Sequence, residues 1–286
     1  MRKAIFAIVV LLVSVQLFCA DDLMMFLLVP PSARIASLNS SLVASMDDIN
    51  AFYNNPATAA TQNKSGVAFT HLISFQSITY DFLTIIIPTP SSGVVNLNIC
   101  YDNFGVQDGR DSSGNLLSTF SNSALILNVG YAYSVNHELS LGVNGKVISE
   151  GLNTAGLLII GLDLGVVYKI SDSMAIGEDI SNIGTSYNGS NLPLTFKTGF
   201  SYKTYPICFL TEIDFDNDGN IVPRLGAEYD FLKIVQLRAG IKFQKDTSNN
   251  FSTGFGVTFS DFTVDYALLP FGDLGVENYL TISKRF

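Results

Sequence analysis

Charge is scarce in this sequence. Asp, Glu, Lys and Arg make up 14% of the residues, whereas hydrophobic residues make up 48%. Soluble proteins carry about a quarter charged residues, so this chain has less polar surface than a water-facing exterior normally needs. The net charge is -9 and no basic stripe is present, which argues against nucleic acid as a partner.

Long apolar runs are also missing. After Pro30, no stretch approaches the roughly 18 consecutive apolar residues that a transmembrane helix needs. In lipid, only helices and closed barrels satisfy every backbone hydrogen-bonding group. An apolar chain without such a helix therefore predicts an all-β fold, a transmembrane antiparallel β-barrel.

Signatures of catalysis and of tightly bound cofactors are absent. The chain has no Gly-x-Ser-x-Gly elbow and no phosphate loop, and its two histidines, His71 and His137, have no ligand cluster beside them. Cys100 and Cys208 fall on well-separated predicted strands, where they are expected as small side chains on strand faces unless the fold draws them into a disulfide. We therefore expect no enzymatic activity and no cofactor.

The N-terminus has the pattern of an export signal. Residues 1–20 combine two basic residues with an apolar run that is too short to remain as a membrane anchor. Simple cleavage is the main expectation, and lipid attachment at Cys19 is the lesser alternative. The predicted divisions are then a signal peptide at 1–20, an N-terminal segment at 21–65 and a barrel at 66–286.

Period-two alternation runs through the barrel segment. Around Asp163, six large apolar residues alternate with glycines and this carboxylate, as on a strand with lipid outside and a polar lumen inside. A soluble sandwich also alternates, but its outer face carries more Lys and Glu than is found here. The alternating runs predict about fourteen strands, an even number as in bacterial barrels: 66–76, 78–87, 93–102, 123–135, 138–149, 157–169, 173–181, 193–203, 206–215, 220–230, 232–244, 250–260, 261–269 and 277–286.

The connections between these strands alternate in length. The odd-numbered ones include the long stretch from Asn103 to Asn122, whereas the even-numbered ones are mostly tight. Outer-membrane barrels show this sorting, with short periplasmic turns and longer outer loops. The first odd connection, near Ser77, is an exception because it is very short.

A different pattern precedes the barrel. Between Ser41 and Ala60, apolar residues recur at helical spacing, and the run ends at Asn54, Asn55 and Pro56. This pattern predicts a short amphipathic helix. It would either plug the lumen or simply pack at the entrance to the barrel.

Several motifs stand at the two ends of the chain: Ser32-Ala33-Arg34, Met46-Asp47-Asp48, Phe52-Tyr53-Asn54-Asn55-Pro56-Ala57, Leu225-Gly226-Ala227-Glu228-Tyr229, Leu237-Arg238-Ala239-Gly240 and Lys284-Arg285-Phe286. Together they resemble the PorV/PorQ family, within the wider FadL-like group of outer-membrane barrels. The resemblance implies a plug motif formed by Asp47, Asp48, Asn54, Asn55, Pro56 and Ala57. It also implies that Phe286 is the terminal signal read by the barrel-assembly machinery.

Two functions follow from this resemblance. One is FadL-like transport of hydrophobic small molecules such as long-chain fatty acids, with movement of the plug opening a route. The alternative is a PorV-like docking or shuttle component of protein secretion, in which the outer loops hold an exported protein. In either case the protein is expected in the outer membrane of a diderm bacterium, among its lipids.

Charged residues are predicted to point into the lumen, where they form either a solvated passage or a salt-bridged, closed interior. They are Asp163, Lys197, Glu212, Arg224, Glu228, Arg238, Lys242 and Asp265.

A weak metal candidate lies between two late strands. Asp214, Asp216, Asp218 and Gly219 match the opening of a calcium loop, but position twelve is Leu225 instead of a glutamate. Because Asp-Asn-Asp-Gly is also a strong turn signal, we expect a plain hairpin turn and no metal.

Overall fold

The structure is a computed structural model that describes residues 24–90, 93–152, 155–185, 191–244 and 250–286. The predicted signal peptide lies outside the described residues. Within the described ranges, we find no helix that is both long and apolar enough to cross a membrane.

The described residues form fourteen antiparallel strands that close into a barrel, each strand pairing with its neighbours in sequence and β1 pairing with β14. This confirms the predicted fold. The strands are β1 (Gly66–Ile73), β2 (Thr79–Pro88), β3 (Gly93–Arg110), β4 (Leu116–Ser134), β5 (Leu139–Leu152), β6 (Ala155–Ser171), β7 (Met174–Gly184), β8 (Thr195–Thr204), β9 (Ile207–Asp216), β10 (Ile221–Phe231), β11 (Val235–Lys242), β12 (Phe251–Phe259), β13 (Phe262–Pro270) and β14 (Val276–Arg285).

The seam between the first and last strands removes the free edges of the sheet. It runs from Gly66 opposite Arg285 to Ile73 opposite Asn278. Because every strand then has two partners, all backbone groups in the wall can pair. We call the end of the barrel at Gly66 and Arg285 the terminal end, and the opposite end the loop end.

Alternation along each strand sorts side chains between the two faces of the wall. In β4, for example, Leu125, Leu127 and Val129 are exposed, whereas Ile126 and Asn128 are fully buried. The same sorting on the other strands makes the outer surface a continuous apolar band, with polar and charged side chains inside. An exposed apolar surface of this extent is suited to lipid and not to water.

The predicted long loop from Asn103 to Asn122 is wrong. β3 continues to Arg110 and β4 begins at Leu116, so most of this stretch is a two-stranded ribbon that extends beyond the neighbouring strands. The turn at its tip is held by Asp111, whose carboxylate accepts hydrogen bonds from the backbone N–H groups that follow. Both faces of a ribbon that projects into water can be polar. The sequence of this ribbon therefore lacks the alternation of apolar and polar residues by which the strands of the wall were predicted.

Residues 24–65 lie inside the barrel, and we call them the plug. The predicted helix from Ser41 to Ala60 is wrong, because this stretch is irregular apart from short 3-10 segments at Ala51–Tyr53 and Pro56–Thr61. The α-helix of the described chain, α1, is the short segment Ala33–Ser37, which Ser32 caps by accepting from the Ile35 N–H. The plug is surrounded by wall on all sides, so its backbone groups pair with wall side chains and need no helix.

Candidate functional site

The Asn-Asn-Pro-Ala motif attaches the plug to the wall. The Asn55 side-chain amide donates to the carbonyl oxygens of Val43 (2.7 Å), Val166 (3.1 Å) and Glu178 (3.2 Å). Its oxygen accepts from the Ala57 N–H, which starts the following 3-10 segment. One fully buried side chain therefore joins two parts of the plug to strands β6 and β7.

Inward glycines make room for the plug backbone. A Cβ on Gly142 would stand 2.3 Å from the Ala57 nitrogen, one on Gly177 would stand 2.1 Å from the Val43 carbonyl oxygen, and neither distance is tolerated. A Cβ added to any of the other inward glycines of this set would also stand within 2.6 Å of a plug atom. The described glycines that together form this belt are Gly142, Gly165, Gly177, Gly199, Gly226, Gly240 and Gly254. Because these glycines have no side chains, the plug can pack directly against the backbone of the wall.

An ion-pair cluster centred on Arg34 holds the terminal side of the plug. Its guanidinium lies 2.8 Å from Glu228 of β10, 3.1 Å from Asp48 and 3.2 Å from Asp47. Burial would lower the pKa of Arg34, but the attraction of these three carboxylates raises it well above its ordinary value. The cation therefore stays charged and ties plug to wall.

Wall residues complete this cluster, which we call the latch. Arg238 lies 2.6 Å from both Glu228 and Asp265, and Lys203 pairs with Asp47. Burial raises the pKa of Asp47, but Arg34 and Lys203 attract its carboxylate and together hold that pKa well below its usual range. The latch is therefore a network of shared charges in which Arg34, Glu228 and Arg238 are buried, whereas Asp47 and Lys203 are partly exposed.

A cavity of about 550 Å³ lies between the plug and the loop end. We call it the chamber. One side is mainly apolar and aromatic, formed by the start of the plug and by the ends of β1, β2, β13 and β14, although Ser74 and Glu277 also line it. The residues of this side are Phe26, Leu27, Val29, Pro30, Phe75, Ile78, Tyr80, Leu269, Phe271 and Tyr279.

The other side of the chamber is charged, and most of its charges are paired. Lys146 lies 2.8 Å from Asp163, Lys197 lies 3.6 Å from Asp179, and Arg224 lies 2.6 Å from Asp214. Glu212 accepts from the Val43 N–H of the plug.

Lys242 differs from these residues. Its Nζ has neither an ion pair nor a hydrogen bond within the described part of the chain, although it lines the chamber. Among the described cations of the chamber, Lys242 is therefore the candidate to contact a ligand.

A second cavity, of about 500 Å³, opens at the terminal end. We call it the vestibule. Its lining is almost entirely polar and includes the latch residues Arg34, Asp47, Glu228 and Arg238. The plug separates the vestibule from the chamber, so the lumen is divided into two compartments.

The eight charged residues predicted from the sequence all lie on the inner face of the wall, and the structure divides them between these compartments. Glu228, Arg238 and Asp265 belong to the latch. The remaining five lie in or beside the chamber: Asp163, Lys197, Glu212, Arg224 and Lys242.

Sequence reasoning missed several partners of these residues, namely Arg34, Lys146, Asp179 and Lys203. Lys146 and Asp179 sit on the polar face of clearly alternating strands, so the same criterion could have found them. Arg34 stands in the Ser32-Ala33-Arg34 motif, but neither this motif nor the sequence around Lys203 indicates their ion-pair partners, because only the fold brings plug and wall together.

The three aspartates of the calcium candidate have separate roles. Asp214 pairs with Arg224, and Asp216 accepts from the backbone N–H groups of Asp218 and Asn220 and so closes a hairpin turn. No group of three or more His, Cys, Asp or Glu within the described ranges could hold a metal ion.

The terminal Phe286 lies at the seam. Its N–H donates to the Ser65 carbonyl oxygen, its ring is mostly exposed, and Lys284 Nζ lies 4.8 Å from its centroid. The two cysteines, Cys100 and Cys208, are buried and free.

The geometry defines the class of the fold: a closed fourteen-stranded barrel with an internal N-terminal plug. No family model and no curated protein matches the chain. Solved structures do. The Pseudomonas putida toluene transporter TodX aligns with a TM-score of 0.63 at 12% identity, over 94% of this chain and 98% of that one. The CymD monoaromatic hydrocarbon channel aligns with a TM-score of 0.64 at 14% identity, over 91% of this chain and 98% of that one. A Pseudomonas aeruginosa FadL homologue aligns with a TM-score of 0.57 at 10% identity, over 94% of this chain and 99% of that one. The chain thus has the fold of FadL-like barrels.

Proposed function

We propose that this protein is an outer-membrane barrel that admits hydrophobic small molecules through the chamber, and that amphiphilic anions such as long-chain fatty acids are its substrates. The observation that carries this proposal is the composition of the chamber, which combines aromatic side chains with Lys242, a cation that has no ion pair within the ranges that the structure describes. Small-molecule sites have this combination of apolar lining and few polar anchors.

Three further observations support a membrane transporter. The outer surface is an apolar band, the sheet has no free edge among the described strands, and the similar folds belong to proteins described as hydrocarbon channels and a FadL homologue. In this orientation the terminal end faces the periplasm and the loop end faces outward. The plug then closes the lumen until its attachment to the wall changes.

The test is a binding titration with the purified full chain in detergent, using dansyl-undecanoate, a fluorescent fatty acid. We expect saturable binding that Lys242→Gln weakens about tenfold, since a charged contact in a partly buried site is worth about 1.5 kcal/mol. Dodecanol, which has no charge, should compete equally well in both variants. The control is Lys233→Gln, at an exposed turn of the terminal end.

The result that contradicts the proposal is an absence of saturable binding by the wild-type chain. If the ligand binds but Lys242→Gln has no effect, the chamber holds apolar molecules without reading their charge. Lipids that accompany the protein from native membranes, identified by mass spectrometry, give an independent measure of the natural substrate.

The β3–β4 ribbon favours a second candidate function, the docking of an exported protein. Beyond the neighbouring strands, its residues pair only with each other, and Val106, Leu116 and Leu117 are more than half exposed. A projecting ribbon with apolar side chains is suited to holding a protein partner. Crosslinking in intact cells, with and without residues 106–120, tests this candidate. A partner lost with the ribbon supports docking, and no crosslinked partner counts against it.

A further inference from the structure

The β3–β4 ribbon has two strand edges beyond the wall. β2 pairs with β3 only as far as Asn103, and β5 pairs with β4 only from Ser123 onward. Within the described ranges, residues 106–110 and 116–121 therefore pair only with each other. A strand edge of this kind presents unpaired backbone N–H and C=O groups, which are a template for a further strand unless the edge is protected.

The edge formed by β3 is protected. The strand bulges at Gly105, which has a φ of 72° and lies against the turn before β2: a Cβ there would stand 3.7 Å from the carbonyl oxygens of Gln76 and Ser77. Further along, Arg110 lies 2.9 Å from Asp108 and forms an exposed ion pair. Bulges and charged side chains are the means by which natural proteins prevent an edge from pairing.

The edge formed by β4 has much less protection. Residues 116–122 contain no charged residue, no proline and no glycine. The register shifts once, at Leu117 near the tip, and from Ser118 to Ser121 the strand is in regular register with β3. Thr119 and Ser121 are exposed. The two edges of one ribbon thus differ, and the β4 edge is the one open to a partner.

The backbone groups of this open edge have a defined direction. At the far end of β4, the Val135 N–H donates to the Leu139 carbonyl oxygen at the start of β5. Alternate residues of a strand direct their backbone groups to the same side, so Thr119 and Ser121 also point to the side of β5. Because β5 pairs with β4 only as far as Gly151, a strand added here would continue the place of β5 in the sheet.

We infer that the β4 edge of the ribbon binds an extended, uncharged segment of another polypeptide, which joins the sheet as a further strand. The inference rests on the docking candidate and specifies how the partner is held. Only another strand carries alternating donors and acceptors at the spacing of this edge, so the ligand is a polypeptide. A charged segment would find no opposite charge among residues 116–122, so an uncharged one fits better.

A second copy of this chain fits the edge less well. Two barrels in one membrane have the same orientation, so their ribbons point the same way. Equivalent β4 edges could then meet only in parallel, and parallel pairing is less stable per residue than antiparallel pairing. A free segment of another protein can approach in the antiparallel direction.

The experiment measures binding of a coumarin-labelled peptide of alternating threonine and valine to the full chain in lipid nanodiscs, by fluorescence anisotropy. We expect saturable binding by the wild-type chain. Thr119→Pro removes an N–H from the open edge but none from the ladder with β3, so it should weaken binding about tenfold or more. Thr119→Ala keeps the backbone and should bind as the wild type does.

The matched control is Asp108→Pro. Asp108 lies directly opposite Thr119, so its backbone groups point to the other edge, and its replacement should leave binding unchanged. Equal affinities of Thr119→Pro and Asp108→Pro would overturn the inference. A peptide with a central proline tests the wild-type chain without any change to the ribbon, and it must bind much more weakly.

Two further outcomes decide between partners. Disulfide-linked dimers of Thr119→Cys in vesicles would assign the edge to a second copy and overturn the inference. Crosslinking in cells separates it from the docking candidate. If deletion of residues 106–120 removes a crosslinked partner and Thr119→Pro does not, docking stands and strand addition at this edge is wrong.

Discussion

The chamber and the vestibule have similar volumes but use their charges differently. Arg238 and Lys242 lie on the same face of β11, four residues apart. Arg238 is buried between Glu228 and Asp265 in the latch, whereas Lys242 faces the chamber without an ion-pair partner among the described residues. The comparison shows that a polar lumen is not one environment. Charges on the terminal side stabilise the plug, and on the loop side the charge of Lys242 faces the chamber, where a ligand can reach it.

The strongest test of this difference replaces each cation by methionine. Arg238→Met should lower the free energy of unfolding by about 3–5 kcal/mol, because it leaves two buried carboxylates with fewer partners. Lys242→Met should lower it by less than about 0.5 kcal/mol, since no pair is lost. Urea titration of the refolded protein in lipid vesicles measures both. Equal losses would mean that the two compartments are not distinct in this respect.

A smaller effect is expected from the glycine belt. Gly142→Ala places a methyl group 2.3 Å from backbone atoms of Pro56 and Ala57, so the plug must shift, at a cost of about 1–3 kcal/mol. Gly145→Ala, on the outer face of the same strand, meets only the Val129 oxygen at 3.9 Å and should be neutral. The rate of protease cleavage within residues 24–65 reports the shift. Identical cleavage of the two variants would show that the belt does not position the plug.

The smallest expected effect is a pH dependence of the latch. The pKa of Asp47 is lowered in the folded protein, so its stabilisation is complete above its unfolded pKa of about 4 and is lost as the pH falls below that value. Cleavage of the plug should therefore accelerate between pH 5 and pH 3 by a factor that Asp47→Asn reduces. The exposed Asp261 provides the control, and Asp261→Asn should retain the wild-type pH dependence.

The wall was predictable because lipid outside and polar lumen inside impose one period on every strand. All fourteen predicted strands are present, and most bounds agree within a few residues. The ribbon was missed because neither of its faces is buried against a membrane. Residues such as Ser118 and Thr119 therefore carry no alternating signal, although their backbones still pair.

The plug was harder to predict. Leu42, Val43 and Met46 recur at helical spacing, yet the segment is not a helix, because Glu212 and Asn55 satisfy its backbone groups in place of a helical turn. The glycines of the belt look like any small residues on a polar strand face. Contacts between plug and wall arise between distant parts of the chain, and a single sequence does not encode them in any local pattern.

The seam has a consequence for the order of assembly. On the last strand, Thr281 accepts from the Ala33 N–H and Arg285 donates to the Asp47 carbonyl oxygen. The strand that completes the cylinder is thus stabilised by the segment that fills it. A chain whose plug is still outside lacks these two contacts when β14 meets β1, so filling the interior adds about 1–3 kcal/mol to the closure of the seam.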